Sequence, residues 1–126
     1  MPVFKFDPEK AGLRKTLREY EELALRYIWS VGEEGAGSGN TWNAVNERLG
    51  EDKRISRASI IFFLNRMVDQ GVLNFRDATG KGGHHRIYYP NLDERGYKMY
   101  IVKTLYESVA RDFPDVTKEV LSKISK

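Results

Sequence analysis

Cysteine is absent from the 126-residue sequence, which excludes disulfides, thiolate metal sites and cysteine nucleophiles. Long apolar runs are absent as well, since none approaches the roughly 18 residues of a membrane-spanning helix. Residues 1–12 lack the apolar core and the small-residue cleavage site of a secretory signal. We therefore expect a cytoplasmic protein that does not associate with membranes.

The sequence also lacks the usual signals of catalysis and metal binding. No nucleophile–base spacing, phosphate-binding loop or carboxylate pair stands out. His84 and His85 are the only histidines, and adjacent residues of a strand point to opposite faces, which makes them poor joint ligands of a metal. We expect neither an enzyme nor a protein that uses a metal or another cofactor.

Positive charge is concentrated in one stretch of the chain. Between Lys53 and Pro90, seven basic residues face two Asp and no Glu, a net charge of 7 − 2 = +5. The rest of the chain has 14 basic and 16 acidic residues, or −2, so this stretch holds all of the overall excess of +3. Such segregation is expected of a phosphate-binding surface, although a solvated basic face would have the same composition.

The apolar spacing predicts three helices in the first 71 residues. The first covers residues 13–31, the second is capped by Asn40 or Thr41 and ends at Gly50, and the third is capped by Ser56. The third helix should turn four apolar side chains inward: Ile60, Phe63, Leu64 and Met67.

After Gly71 the apolar period changes from helical spacing to alternation. Residues 72–78 and 85–90 read as two strands, and the glycines of residues 79–83 suit the tip of a hairpin. Further helices are predicted at about 93–113 and 115–124, separated by Pro114. The fold class is therefore mainly α with a small β-hairpin (α+β).

Three short helices followed by a basic hairpin are the layout of a winged helix-turn-helix. We assign residues 13–92 to this DNA-binding domain, 93–126 to a C-terminal helical dimerisation region and 1–12 to an N-terminal arm. The major groove of DNA, about 12 Å wide, admits one helix, here about residues 56–70. We expect the tip of the wing, at about 72–90, to lie along the neighbouring backbone or to enter the minor groove. The predicted DNA contacts are Thr41, Asn43, Arg54, Ser56, Arg57, Ser59, Arg66, Lys81, His84, His85 and Arg86.

A second predicted surface lies on the C-terminal helices. Apolar residues recur every four positions along the longer helix, and more follow the Pro114 break, with no obvious partner within one chain. We expect this surface to form a homodimer through Tyr97, Ile101, Leu105, Val109, Val116, Val120, Leu121 and Ile124.

Two stretches resemble a known family. EYEELALRYIWSVGE, residues 19–33, resembles the first helix of the penicillinase and methicillin-resistance repressors, including Trp29. Residues 56–90 are similar to their recognition helix and wing, with matches at Leu64, Asn65, Arg66, Gly71, Tyr88 or Tyr89, and Pro90. The motifs cover about Leu17 to Pro90, and the likeness beyond them is one of helix layout. The resemblance implies a homodimeric repressor on a palindromic operator, dimerised through its C-terminal helices.

The chain also departs from this family. Ala58 and Ser59 stand where the family usually has two threonines, and Phe62 replaces a small polar residue, so no operator sequence can be carried over. We expect Phe62 to be buried, as large apolar residues usually are; the alternative is an exposed side chain that contacts a thymine methyl group. Antibiotic-sensing members are cleaved at an Asn-Phe bond in the C-terminal region, and copper-responsive relatives use C-terminal cysteines. Here the one Asn-Phe pair is Asn74-Phe75, in the predicted first wing strand.

The leading interpretation is a sequence-specific regulator that binds double-stranded DNA, most simply a homodimeric repressor. A winged-helix module for protein–protein contact is one alternative, but it would not need a net +5 on helix and wing. A non-specific, chromatin-like DNA binder is the other.

Overall fold

The computed structural model describes residues 4–80 and 83–125. The chain forms two compact units, Met1–Glu94 and Arg95–Lys126. Its helices and strands are α1 (Glu19–Val31), α2 (Ser38–Leu49), α3 (Arg57–Asp69), β1 (Leu73–Gly80), β2 (Gly83–Pro90), α4 (Glu94–Asp112) and α5 (Pro114–Ile124). Within these described ranges, five α-helices and one antiparallel hairpin in this order confirm the predicted winged-helix class. Across the described ranges, every helix is too short or too polar to traverse a lipid bilayer.

The first helix starts later than predicted. Gly12–Lys15 form a separate 3-10 turn, and α1 begins only at Glu19. The Glu21 carboxylate accepts a hydrogen bond from the backbone N–H of Arg18 at 2.7 Å, which satisfies a donor that the first turn of a helix leaves unpaired. Leu13 and Leu17 are nevertheless buried, so their spacing reflects packing and not a continuous helix.

The second helix starts earlier than predicted, at Ser38 instead of after Asn40 or Thr41. Thr41 lies inside the first turn, where its hydroxyl donates to the carbonyl of Gly37 at 2.9 Å. The helix ends at Gly50 as predicted, and the φ of 81° at this glycine is one that other residues rarely adopt.

A clamp formed by Trp42, Asn46 and Ile55 holds the turn between α2 and α3. The Asn46 amide donates to the Ile55 carbonyl at 3.1 Å, and its oxygen accepts from the Ile55 N–H at 2.8 Å. The Trp42 indole donates to the same carbonyl at 2.8 Å. Because Asn46 is buried, these bonds satisfy polar groups that would otherwise be costly to bury.

The core of the first unit lies where the three helices meet the hairpin. Ser56 caps α3 as predicted, since its hydroxyl accepts from the Ser59 N–H at 3.1 Å. The predicted inner face of α3 is confirmed, with Ile60, Phe63, Leu64 and Met67 all buried. Trp29 is only partly buried, and its indole donates to the Leu92 carbonyl at 2.9 Å.

The hairpin is longer than predicted, because part of the expected tip is paired. Thr79 lies opposite His84, and Gly80 lies opposite Gly83. Lys81 and Gly82, which join the strands, lie outside the described residues.

The segment after α1 fixes the hairpin to the helices. The backbone groups of Ala36 and Tyr88 exchange two hydrogen bonds of 2.9 Å. At Gly35, where φ is +72°, a Cβ would lie 2.5 Å from the Tyr88 carbonyl oxygen, so only glycine fits. Arg76 of β1 donates to the carbonyls of Glu33, at 3.2 Å, and Glu34.

The second unit consists of α4 from Arg95 onward and α5. The helices are separated at Phe113, and Pro114 occupies the first turn of α5, where a missing backbone N–H costs no hydrogen bond. Many large apolar side chains of this unit are exposed: Met99, Val102, Tyr106, Val109, Phe113, Val116, Val120, Leu121 and Ile124.

Candidate nucleic-acid interface

The outward face of α3 is the centre of the candidate site. Ala58, Ile61 and Phe62 are exposed on the side away from the buried apolar face, and Arg57 is exposed at the start of the helix. The burial expected for Phe62 is wrong, since 72% of this residue is exposed. Phe62 lies two positions from Leu64, about 200° around the axis of a helix with 3.6 residues per turn, so it cannot share the inner face.

The start of α3 brings a basic side chain to the start of α2. Arg57 is exposed, and its guanidinium lies 3.5 Å from the Ser38 hydroxyl. The first turns of both helices carry backbone N–H groups without partners inside the helix, together with the positive end of the helix dipole. An arginine between two such ends is well placed to contact a phosphate.

The two serines predicted at this end of α3 form its cap. The hydroxyls of Ser56 and Ser59 lie 3.0 Å apart, and Ser59 is only partly exposed. Both hydroxyls are thus already engaged in holding the first turn of the helix.

Two further predicted contacts lie on or near α2. Asn43 is exposed on this helix. Arg54 is exposed in the turn before α3, with its guanidinium carbon 5.5 Å from the centroid of the Trp42 ring. This stacking, a favourable contact between a cation and an aromatic face, supports Arg54 beside the clamp.

Thr41 does not belong to this surface. It is completely buried, and its hydroxyl is bonded to the Gly37 carbonyl. The prediction that Thr41 contacts DNA is wrong, because a threonine inside the first helical turn can turn its hydroxyl back to the backbone.

Arg66 also has a different role from the predicted one. Its guanidinium donates to the Glu21 carboxylate at 2.6 Å, and it lies 5.4 Å from the centroid of the Phe63 ring. Glu21 is only 4% exposed, and a buried carboxylate needs a partner of opposite charge. Arg66 therefore joins α3 to α1, a role that the sequence did not predict.

One side chain of α3, that of Asn65, bonds to two residues of the wing. Its oxygen accepts from the Tyr88 hydroxyl at 2.6 Å and from the Arg86 guanidinium at 2.9 Å. The guanidinium carbon of Arg86 also lies 3.9 Å from the centroid of the Phe75 ring. Burial raises the pKa of Tyr88 above its ordinary value, and the nearby charge of Arg86 partly opposes this.

Arg86 thus helps to join the wing to α3, a role that the sequence did not predict, although this residue remains exposed. His84 and His85 are exposed on β2, opposite Thr79 and Ala78. The predicted contact Lys81 lies outside the described residues. In the described ranges, no group of three or more potential metal ligands comes together.

Sequence reasoning missed Asn65, Asn46 and Arg76, which position the surface without forming its outer layer. Asn65 matched the resembled motif, but no spacing rule indicates that its oxygen faces a strand more than 20 residues away.

The residues predicted to form a dimer divide by burial. Tyr97 is 1% exposed, so it has no surface left for a partner, and we remove it from the interface. Ile101 and Leu105 are partly exposed. The other five are exposed: Val109, Val116, Val120, Leu121 and Ile124.

Comparison with known proteins agrees with this geometry. No curated protein matches the chain. A family model described as Penicillinase repressor matches residues 17–126, which is nearly the whole chain and includes all five helices and both strands. The chain therefore belongs to the penicillinase repressor family, whose members are regulatory DNA-binding proteins.

Proposed function

We propose that the protein is a homodimeric transcriptional repressor that recognises a palindromic operator in double-stranded DNA. The outward face of α3 enters the major groove, and the wing lies along the adjacent backbone. Two copies joined through their C-terminal helices present two such faces to two half-sites.

The observation that carries this proposal is the exposed outward face of α3 beside a wing that Asn65 holds in place. The four residues of its inner face are buried, whereas Ala58, Ile61 and Phe62 of the outward face are exposed. A helix supported from behind in this way can be inserted into a major groove about 12 Å wide.

The charged groups around this face are suited to the DNA backbone. Arg57 lies between two helix ends, and Arg54 is supported on Trp42. Positively charged side chains near phosphates supply affinity that is independent of sequence and falls as salt rises. Asn43, Ser56, Ser59, His84, His85, Arg86 and Lys81 complete the proposed contact set.

Recognition by one copy would be too limited to locate a single site in a genome, because one winged helix reads only a few base pairs. A two-fold dimer doubles the readout and fixes the half-sites about 10 base pairs apart, or one helical turn. The exposed apolar side chains of α4 and α5 supply a surface for this dimer.

The proposal is tested by selecting a preferred duplex from a randomised library with the full chain. Affinity for this duplex and for a scrambled one is then compared at one salt concentration. We expect clear preference for the selected duplex and a two-fold symmetric sequence in the selected pool.

The variant Arg57→Ala tests the contact itself. If Arg57 contacts a phosphate, binding should weaken evenly across sequences. The slope of the logarithm of the binding constant against the logarithm of the salt concentration should then become shallower by about one unit. If it contacts a base, discrimination at one position should fall by about 1–3 kcal/mol. The control is Arg14→Ala, which removes an exposed arginine of the 3-10 turn outside the proposed surface. Equal affinity of the wild type and a folded Arg57→Ala variant would contradict the proposed geometry.

A further inference from the structure

Three apolar residues form a patch on the outward face of α3: Ala58, Ile61 and Phe62, here named the α3 apolar patch. Ile61 is 38% exposed, Phe62 is 72% exposed, and Ala58 is exposed too. Residues three and four positions apart are neighbours on a helix surface, so the three side chains are contiguous.

Packing does not account for this patch. The core contacts of α3 are made by Ile60, Phe63, Leu64 and Met67. A large aromatic ring exposed in the middle of a helix points to a partner that covers it.

The surroundings of the patch indicate what kind of partner this is. Arg57, four positions from Ile61, adjoins it and is exposed. Asn65, three positions from Phe62, binds the exposed Arg86 at 2.9 Å. This charge favours a polyanion over an apolar protein surface. The polyanion must also present an apolar group, and duplex DNA presents one in its major groove, the C5 methyl of thymine.

We propose that Phe62, supported by Ile61 and Ala58, reads thymine through its methyl group in the major groove. Phe62 is thus a specificity-determining residue, and each half-site carries thymine where it faces this ring. The inference rests on the proposed function, since it requires α3 in the major groove. It specifies which base is recognised and states that the contact is apolar instead of a hydrogen bond.

Replacing thymine by deoxyuridine tests this inference, because it removes the methyl group and leaves the base pair and its hydrogen-bonding groups intact. Each thymine of the selected duplex is replaced in turn, and affinity for the full-length protein is measured by fluorescence anisotropy at one salt concentration. We expect a loss of about fourfold at the thymine that faces Phe62, the ratio equivalent to about 0.8 kcal/mol for one buried carbon at 25 °C.

Variants then assign the effect to the side chain. In Phe62→Ala the deoxyuridine penalty should disappear at that thymine, and in Phe62→Leu part of it should remain. Because Phe62 is mostly exposed, both variants should fold, as thermal melting would verify. The matched control is Phe6→Ala, at another exposed phenylalanine outside the surface, which should keep the full penalty.

The outcomes separate this inference from the proposed function. A selection that yields no preferred sequence would overturn both. A preferred duplex in which every thymine methyl is dispensable, or a penalty that survives in Phe62→Ala, would overturn the inference alone. Unchanged affinity and selectivity in Phe62→Ala would also overturn it and would leave a protein partner as the ligand of the patch.

Discussion

Asn65 shows how one polar residue can join a recognition helix to a wing. Its oxygen accepts hydrogen bonds from Tyr88 and Arg86, so one acceptor on α3 holds two residues of β2. An asparagine oxygen has two lone pairs and can satisfy both donors. The exposed stretch of the wing is therefore oriented by a contact behind it.

Replacing this acceptor should loosen the wing. In Asn65→Leu both hydrogen bonds are lost, and we expect the free energy of unfolding to fall by about 1–3 kcal/mol. Asn65→Asp keeps the acceptor and should recover most of this loss, as urea unfolding would measure. Contacts to the DNA backbone carry affinity but no sequence information directly, so the proposed wing contact predicts that Asn65→Leu loses more affinity than selectivity. Equal free energies of unfolding for Asn65→Leu and Asn65→Asp would show that the acceptor oxygen does not stabilise the fold.

Arg66 shows why residue types alone did not predict the contact between α1 and α3. A basic side chain off the inner face of a predicted helix looks available to DNA, and the sequence indicates nothing about a buried carboxylate within reach. Glu21 lies 45 positions earlier, so their pairing depends on how α1 crosses α3. Arg57 and Arg66 have the same charge and lie on the same helix, yet only tertiary structure distinguishes their roles.

At the scale of elements, the clamp at Ile55 determines the angle between α2 and α3. The turn contains Gly50 and a short 3-10 segment, Glu51–Lys53, and it has little apolar content to hold it in place. The hydrogen bonds of Trp42 and Asn46 to Ile55 therefore hold this turn in place.

We expect Asn46→Ala to lower the free energy of unfolding by about 1–3 kcal/mol, because it leaves the backbone N–H of Ile55 without its side-chain partner. DNA affinity should fall as well, since α3 loses a fixed angle to α2. The control is Asn74→Ala, which removes an exposed asparagine whose oxygen bonds only to the next residue's N–H. Urea unfolding monitored by circular dichroism gives the comparison. A loss in Asn46→Ala no greater than in Asn74→Ala would contradict the role of the clamp.

The hairpin should respond to alkaline pH through Tyr88. Burial raises the pKa of this phenol, so the fold favours the neutral form. The resulting stabilisation is fully present below the unfolded pKa of about 10 and is lost as the pH rises through the folded pKa.

Tyr88→Phe should therefore be less stable than the wild type at pH 7, because it lacks the hydrogen bond to Asn65. Its stability should decline less steeply as the pH rises above about 10, the ordinary tyrosine pKa, because the loss lies between this value and the higher pKa in the folded protein. Tyr20 and Tyr100, whose pKa values burial also raises, should leave a residual decline. Urea midpoints across this range would measure both effects, and an unchanged slope would exclude Tyr88 as a contributor.

Element types and order could be predicted because apolar period, glycine and proline positions are local signals. The ends of the elements could not be predicted, because they depend on hydrogen bonds between single side chains and nearby backbone groups. The Glu21 bond to Arg18 starts α1 late, and the Thr41 bond to Gly37 places that residue inside α2. In both cases a side chain bonds to one of several nearby backbone groups, and the composition does not indicate which one.

At the scale of the whole molecule, charge segregation correctly indicated the DNA-binding class to which the family belongs. The net +5 of residues 53–90 lies on the turn, helix and wing of one compact unit. The other unit, from Arg95, carries exposed apolar residues instead. The excess of basic residues thus belongs to one unit, and the largest group of exposed apolar side chains belongs to the other.

Association should depend on one face of α5. Val116, Val120 and Ile124 recur every four residues and are exposed, so they form one apolar stripe. We expect the wild type to sediment as a dimer at micromolar concentration and Val120→Glu to shift it toward monomer, because an unpaired charge is costly to bury. The control Ser122→Glu adds the same charge at an exposed position about 200° around the helix, and it should remain dimeric.

Dimer loss should also change how the protein binds DNA. A dimer occupies both half-sites together, so its affinity should fall sharply when the spacing departs from about 10 base pairs, one helical turn. Val120→Glu should bind the palindrome more weakly and become insensitive to that spacing, whereas its affinity for a single half-site should match that of the wild type. A wild type that sediments as a monomer, or a Val120→Glu variant that keeps the spacing dependence, would show that the half-sites are not coupled through α5.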